Sequence, residues 1–307
     1  MSSSPGGSRV TSASRPAEPP LRVAFVGSTV WLDSCTPAPS DGLWPACFVV
    51  GGGRDAGTTA ADLEAFDAQA TVVFDPLEVP TAALDAITGP SLGVLVGGLP
   101  TDEPTDGLHP FDRLASFRPS LTGETVGGRT LWRAFPPPIS DALFADVRPL
   151  RRSPRVMSVG RSTPHREDML LPAKHHCDLL QLIAGVSGES LRQLLAEYDV
   201  GVYVPPKAGG GFGQQVGMHL AAGQLLLAER LAPAHGLERD IDYLDVRGPG
   251  DLVTLLDRLA RFPEMYQRIR VRGRLKAEQY RSSRLFARVI HDLLADIAAF
   301  GPGSAVS

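Results

Sequence analysis

Two rhythms of apolar residues alternate along this chain. Short apolar runs closed by glycine or proline predict buried strands over residues 21–27, 46–50, 70–74 and 92–96. The same signal returns over residues 155–160, 178–183, 200–204 and 225–227. Between these runs lie segments with apolar positions three and four apart, the period of a helix with one buried face. They predict helices over 58–66, with Thr59 as its cap, and over 80–87, beginning at its proline. In the second half they predict a helix opening after 161–166, and others over 187–197, 214–222, 251–261, 263–278 and 283–300. Prolines 37, 39 and 45 predict an irregular stretch after the first strand. Strands that alternate with helices argue for parallel sheets with right-handed crossovers, an α/β fold.

Two strand-to-glycine openings, at Leu21 and at Arg155, predict two such units. The stiff Phe135-Pro136-Pro137-Pro138 segment joins them, with the boundary near residue 150. The expected division is a disordered tail over 1–20, a first unit over 21–150 and a second over 151–300. The tail is rich in serine, proline and glycine and lacks the apolar core of a signal peptide. In the last predicted helix Leu285, Val289, Leu293, Leu294 and Ile297 form a stripe longer than one small unit needs. It is expected to pack back toward the first unit.

Composition narrows the function classes. The chain has 307 residues, 43% hydrophobic and 21% charged, with a net charge of −4. That gives no nucleic-acid footprint. No apolar run approaches the roughly 20 residues that span a bilayer. Cys35, Cys47 and Cys177 are too few and too scattered for a disulfide framework or a zinc site. A reducing cytoplasm is the expected setting.

The candidate chemistry gathers in the second half. Residues 198–229 read as a strand, the loop Gly209-Gly210-Gly211-Phe212-Gly213, a short helix from Gln214, and another strand. A helix that begins straight after a glycine loop offers unpaired N–H groups and the positive end of its dipole to an anion. Arg161 and Arg166 flank a second strand-to-helix turn, and arginine forks suit phosphate oxygens. Both turns belong at the carboxyl edge of one sheet, where open α/β folds bind ligands. Gly51-Gly52-Gly53 reads as a turn rather than a phosphate cradle, because no helix starts at once behind it. Gly97-Gly98 and Gly127-Gly128 read as turns, and His109 as a solvated loop histidine. The run Arg268, Arg270, Arg272, Arg274 and Lys276 reads as a solvated face.

From about Pro136 onward the sequence resembles glycosyltransferases of the two-domain GT-B fold. It is most similar to spore-maturation-protein-like members with a group 1 C-terminal domain. RVMSVGRSTPHRE, residues 155–167, resembles the strand and basic turn that grip a donor diphosphate, with the basic positions on Arg161 and Arg166. GGFGQQVGMHLAAGQLLLAE, residues 210–229, resembles the glycine stretch of the donor site. Residues 251–280 resemble the closing helices. The resemblance implies two Rossmann-like domains facing across a cleft, a first domain on the acceptor side and a second that holds the nucleotide. It implies transfer of a sugar from a nucleotide-activated donor to an acceptor the sequence does not identify, with no cofactor beyond that co-substrate and no demand for a metal. Gly211, Phe212, Gly213 and Gln214 would join the two arginines at the diphosphate. Lys207, Gly210, Gln215 and Met218 are further candidate donor contacts. The family carries glutamates where this chain has Gly210 and Met218, and neither residue replaces a carboxylate. That departure leaves a second reading, a non-catalytic member of the fold that acts by binding. A nucleotide-sugar epimerase of the same architecture is a third.

Overall fold

The computed structural model describes residues 19–40, 42–53, 55–96, 111–118, 121, 125–126, 129–183 and 186–303. His109, Gly97-Gly98, Gly127-Gly128 and residues 1–18 lie outside them. The first sheet contains β1 (Leu21–Gly27), β2 (Leu43–Val49), β3 (Ala70–Phe74), β4 (Ser91–Leu95) and β5 (Arg113–Ser116). A two-residue antiparallel pair, β6 (Thr125–Val126) and β7 (Arg129–Thr130), precedes its last strand, β8 (Arg133–Ala134). The order is β2-β1-β3-β4-β5-β8, parallel throughout. Helices α1 (Thr29–Cys35), α2 (Ala56–Phe66) and α3 (Thr81–Asp85) accompany it.

The second sheet contains β9 (Val156–Val159), β10 (Leu179–Leu182), β11 (Val200–Tyr203), β12 (Leu225–Glu229) and β13 (Leu244–Val246). Its order, β10-β9-β11-β12-β13, is again parallel throughout. Between and after these strands run α4 (Pro164–His176), α5 (Gly188–Glu197), α6 (Gln214–Ala221), α7 (Pro249–Arg261), α8 (Gln267–Ala277) and α9 (Ser282–Phe300). In each sheet the central strands carry continuous apolar runs because helices cover both faces. Val23, Ala24, Phe25 and Val26 of β1 are all fully buried.

Four local readings are corrected by the structure. Residues 29–35 form a helix rather than an irregular stretch, since the prolines at 37 and 39 only end it. Asp55, not Thr59, caps α2: its carboxylate accepts from the Thr58 amide, while the Thr59 hydroxyl donates to the Val49 carbonyl. Pro45 lies inside β2, which is tolerated because β2 is an edge strand. The fourth concerns α8. Arg270 is 1% exposed and donates to the carbonyls of Gly223 and, at 2.7 Å, Arg148. Arg274 donates to the Ala145 carbonyl at 2.7 Å. These arginines satisfy the carbonyls of the connecting chain instead of facing water.

The C-terminal helix crosses to the first sheet, as its apolar stripe predicts. Leu285, Phe286, Val289, Ile290 and Leu293 share a core with Phe25, Phe74 and Phe135. The Phe286 ring meets Phe25 edge-on with centroids 4.9 Å apart. Ion pairs Arg113–Asp296 and Arg133–Asp292 tie the same helix to β5 and β8. The chain therefore passes between the units twice, and the two passages lie side by side. Ile139 donates to the Tyr280 carbonyl at 2.8 Å and accepts from the Ser282 amide at 2.9 Å. Asp141 accepts from Ala38, from Ser283 and from Arg281, so one carboxylate knots three segments. Among the described residues no helix is long and apolar enough to cross a membrane.

Candidate functional site

Strand order in the second sheet reverses direction between β9 and β11, so their two outgoing loops diverge and leave a crevice at the carboxyl edge. The loop after β9 begins at Gly160, whose φ is +135°. A side-chain carbon there would lie 2.3 Å from Arg166 Nη1, so only glycine lets the guanidinium lie across the turn. Arg166 sits in the first turn of α4 and is 6% exposed. Its Nε donates to the Val204 carbonyl at 2.8 Å and its Nη1 to the Arg161 carbonyl at 2.8 Å. It has no ion pair with a described residue, and Nη2 makes no hydrogen bond to one. Burial lowers its pKa, with the Tyr203 hydroxyl acting the other way. Arginine nonetheless keeps its charge in proteins. Thr163 completes the turn. Its hydroxyl accepts from the Arg166 amide, capping α4, and donates to the Pro206 carbonyl at 2.9 Å.

The second loop is folded by its glycines. Gly209 and Gly211 adopt φ of +71° and +75°, the left-handed region that other residues avoid. The Tyr203 hydroxyl donates to the Gly211 carbonyl at 2.9 Å and pins the loop. Burial pushes that phenol up to about 12, so it stays protonated and able to donate. At Gly210 a side-chain carbon would lie 2.8 Å from the Lys207 carbonyl oxygen. Phe212 anchors the loop against Tyr280 and His235, with ring centroids 5.4 and 4.9 Å away. Gly213 then caps α6, and the Gln214 and Gln215 amides of its first turn have no partner among the described residues. On the far side of the cleft Cys35 of α1 receives a 3.1 Å contact from the Gln214 side-chain amide. Burial pushes its thiol up to about 12.

The cleft between the units has two lobes that meet at Arg166. One, of about 670 Å³, lies between Trp31, Phe117 and Arg118 on the first unit and the glycine loop on the second. The other, of about 590 Å³, lies between α1 and the loops after β9 and β10. Arg166, Pro206, Gln214 and Gln215 line both. Lys207, Gly210, Gly211, Phe212 and Gly213 line only the first, and Arg161 and Met218 only the second. The structure thus gathers every candidate residue around one cleft, although the two arginines are not equivalent. Arg161 is an exposed side chain in one lobe, and its carbonyl supports Arg166. An arginine at position 166 is expected from the sequence to be partly exposed. Instead it is buried, because Gly160 leaves room beneath the turn.

Sequence reasoning missed the first unit's contribution. Trp31, Asp33 and Ser34 of α1 line the cleft, as do Phe117 and Arg118 beyond β5. A signal was present. Gly27 closes β1 just ahead of α1, the same strand-glycine-helix arrangement found at 156–166. His165 and Glu229, paired at 2.7 Å, also went unread and join the start of α4 to the end of β12.

A scan of protein families finds no match, and a search of curated proteins finds none either. Solved structures overlay nearly the whole chain. A glycosyltransferase from Rickettsia africae aligns with a TM-score of 0.55 at 11% identity, covering 92% of this chain and 99% of the other. Sucrose-phosphate synthase from Thermosynechococcus elongatus gives 0.54 at 11% identity, over 91% and 99%. HepE from Anabaena, solved in complex with UDP, gives 0.53 at 9% identity, over 90% and 100%. At such identities the likeness concerns the fold. The chain has the GT-B architecture, two Rossmann-like α/β units facing each other across a cleft.

Proposed function

We propose that this protein is a glycosyltransferase that moves a sugar from a nucleotide-activated donor to an acceptor held against the first unit. The observation that carries this reading is Arg166. A guanidinium 6% exposed, with no carboxylate partner among the described residues, stands where both lobes and the glycine loop meet. An unpaired buried charge is costly, and an anion placed in the cleft offsets that cost. Arg166, whose Nη2 is left over, and Gln214 and Gln215, whose amides open α6, line the same two lobes. Together they suit a diphosphate without acidic residues or metal.

In this reading the bond from the sugar's anomeric carbon to the diphosphate oxygen breaks, a bond to an acceptor hydroxyl oxygen forms, and the hydroxyl's proton passes to the departing diphosphate. Negative charge grows on the departing diphosphate, and fixed donors stabilise it most in the transition state. Residues 21–150 are the acceptor-side unit and residues 151–300 the donor-nucleotide unit, whose last helix, α9, packs against the first sheet. Arg161 adds charge beside the diphosphate from the second lobe, and Lys207 from the first.

A specific observation also favours the second reading, a protein that binds the donor without turning it over. The resembling glycosyltransferases carry a glutamate at the position of Gly210, and this loop leaves no room for a side chain there. Titration with a panel of nucleoside diphosphates and their sugars separates the readings. Binding followed by release of free or transferred sugar supports the enzyme. Binding without any turnover supports the second reading, and no binding by any member removes both.

A further inference from the structure

Asp33 is the only carboxylate among the described residues that line the two lobes. It belongs to α1 of the first unit, is exposed, and makes no hydrogen bond or ion pair with a described residue. It stands in the lobe that also holds Arg161 and Met218. A side-chain carbon built on Gly188 would lie 3.8 Å from Asp33 Oδ2, so this carboxylate reaches across to the amino end of α5 on the second unit.

The inference rests on the nucleotide-sugar reading. A diphosphate at Arg166, where the lobes join, sends the donor's two ends into different lobes. The lobe with Asp33 has apolar walls, Leu182, Ile183, Val186 and Leu191, that fit the faces of a planar base. A ribose in the same lobe brings two neighbouring hydroxyls that need strong acceptors. Met218 offers only a weak thioether, and Gln215 a neutral amide. A carboxylate can accept from both hydroxyls at once.

We propose that Asp33 is the ribose-binding carboxylate of this protein, supplied by the first unit across the cleft in place of one on α6. Nucleotide specificity is then shared between the units, and a bound nucleoside diphosphate links them directly.

Calorimetric titration of the parent, Asp33→Ala and Asp33→Asn tests this. The probes are UDP, GDP and ADP, their 2′,3′-dideoxy forms, and inorganic pyrophosphate. For whichever nucleotides bind, Asp33→Ala is expected to weaken the ribose form by roughly ten- to a hundredfold. Asp33→Asn should fall in between. Removing the ribose hydroxyls should cost the parent the same factor and cost Asp33→Ala nothing further. Pyrophosphate should bind parent and variants alike or bind the variants slightly better. If the parent binds a nucleoside diphosphate and Asp33→Ala binds it equally well, the Asp33 assignment is wrong and the donor reading stands. If the parent binds no nucleotide, both fall.

Discussion

Single positions make or break the crevice, and Gly160 does so without touching a ligand. Its φ of +135° and the 2.3 Å clearance to Arg166 leave no place for a methyl group. Gly160→Ala should destabilise the chain by at least about 1 kcal/mol and displace the guanidinium. Urea unfolding and pyrophosphate titration read the two effects, and a variant that binds like the parent would contradict the role given to Arg166. Met218 is 5% exposed and packed in the core behind α6. Met218→Glu should lower the melting temperature of the free protein by burying a carboxylate and, because Asp33 serves the ribose, should gain no more from a ribose nucleotide than the parent does. A larger nucleotide gain than the parent's would place the ribose beside position 218.

His219 carries a pH dependence. It is fully buried, its Nδ1 lies 2.6 Å from Gln224 Oε1, and its Nε2 has no partner among the described residues. Burial pushes its pKa down to about 4, below the ordinary value near 6.5. The folded protein therefore refuses a proton that the unfolded chain accepts. Its contribution is whole above about pH 6.5 and declines as pH falls toward about 4, by on the order of 3 kcal/mol in total. Unfolding free energies at pH 7, 5 and 4 should show this slope, and His219→Gln should flatten it. An unchanged slope in the variant would assign the acid sensitivity to other groups.

At the scale of elements, the two loops that build the candidate anion site were legible because each joins an apolar strand to a helix through glycine. Val156–Val159 and Val200–Tyr203 are mostly apolar runs, interrupted only by Ser158 and Gly201, and the turn residues behind them announce themselves. The helix Thr29–Cys35 was hidden. Seven residues give too little periodicity, and the prolines that end it look like loop signals. Residues 244–246 escaped for the same reason of length. Burial of Arg270 was unreadable because basic residues at alternate positions fall on every face of a helix, and only the tertiary path of residues 145–148 turns one face inward. The same limit hid the depth of Arg166. Arg166→Ala should therefore cost stability as well as affinity, about 1–3 kcal/mol from the freed Val204 and Arg161 carbonyls. Arg166→Lys should keep a charge but lose both supporting bonds. If both variants unfold like the parent, the bonds to the loop carry no weight.

The whole molecule is held as one piece by α9 and by the paired passages between the units. Phe286 is fully buried among Phe25, Phe74 and Phe135. Phe286→Ala should cost about 3–5 kcal/mol and loosen the first sheet, although it lies in the last helix. Hydrogen exchange should then rise in β1 and β3, and a rise confined to α9 would contradict the shared core. Asp141 gathers Ala38, Arg281 and Ser283 where the two passages run side by side.

The claim that joins these scales is that a diphosphate lies against Arg166 between the two units. Its most direct test is calorimetric titration of the parent and Arg166→Ala with UDP-, GDP- and ADP-sugars, with folded fractions matched by circular dichroism. The expected result is that at least one sugar nucleotide binds the parent and binds Arg166→Ala roughly ten- to a hundredfold more weakly. Equal affinity in a folded variant, or no binding of any donor by the parent, would contradict it.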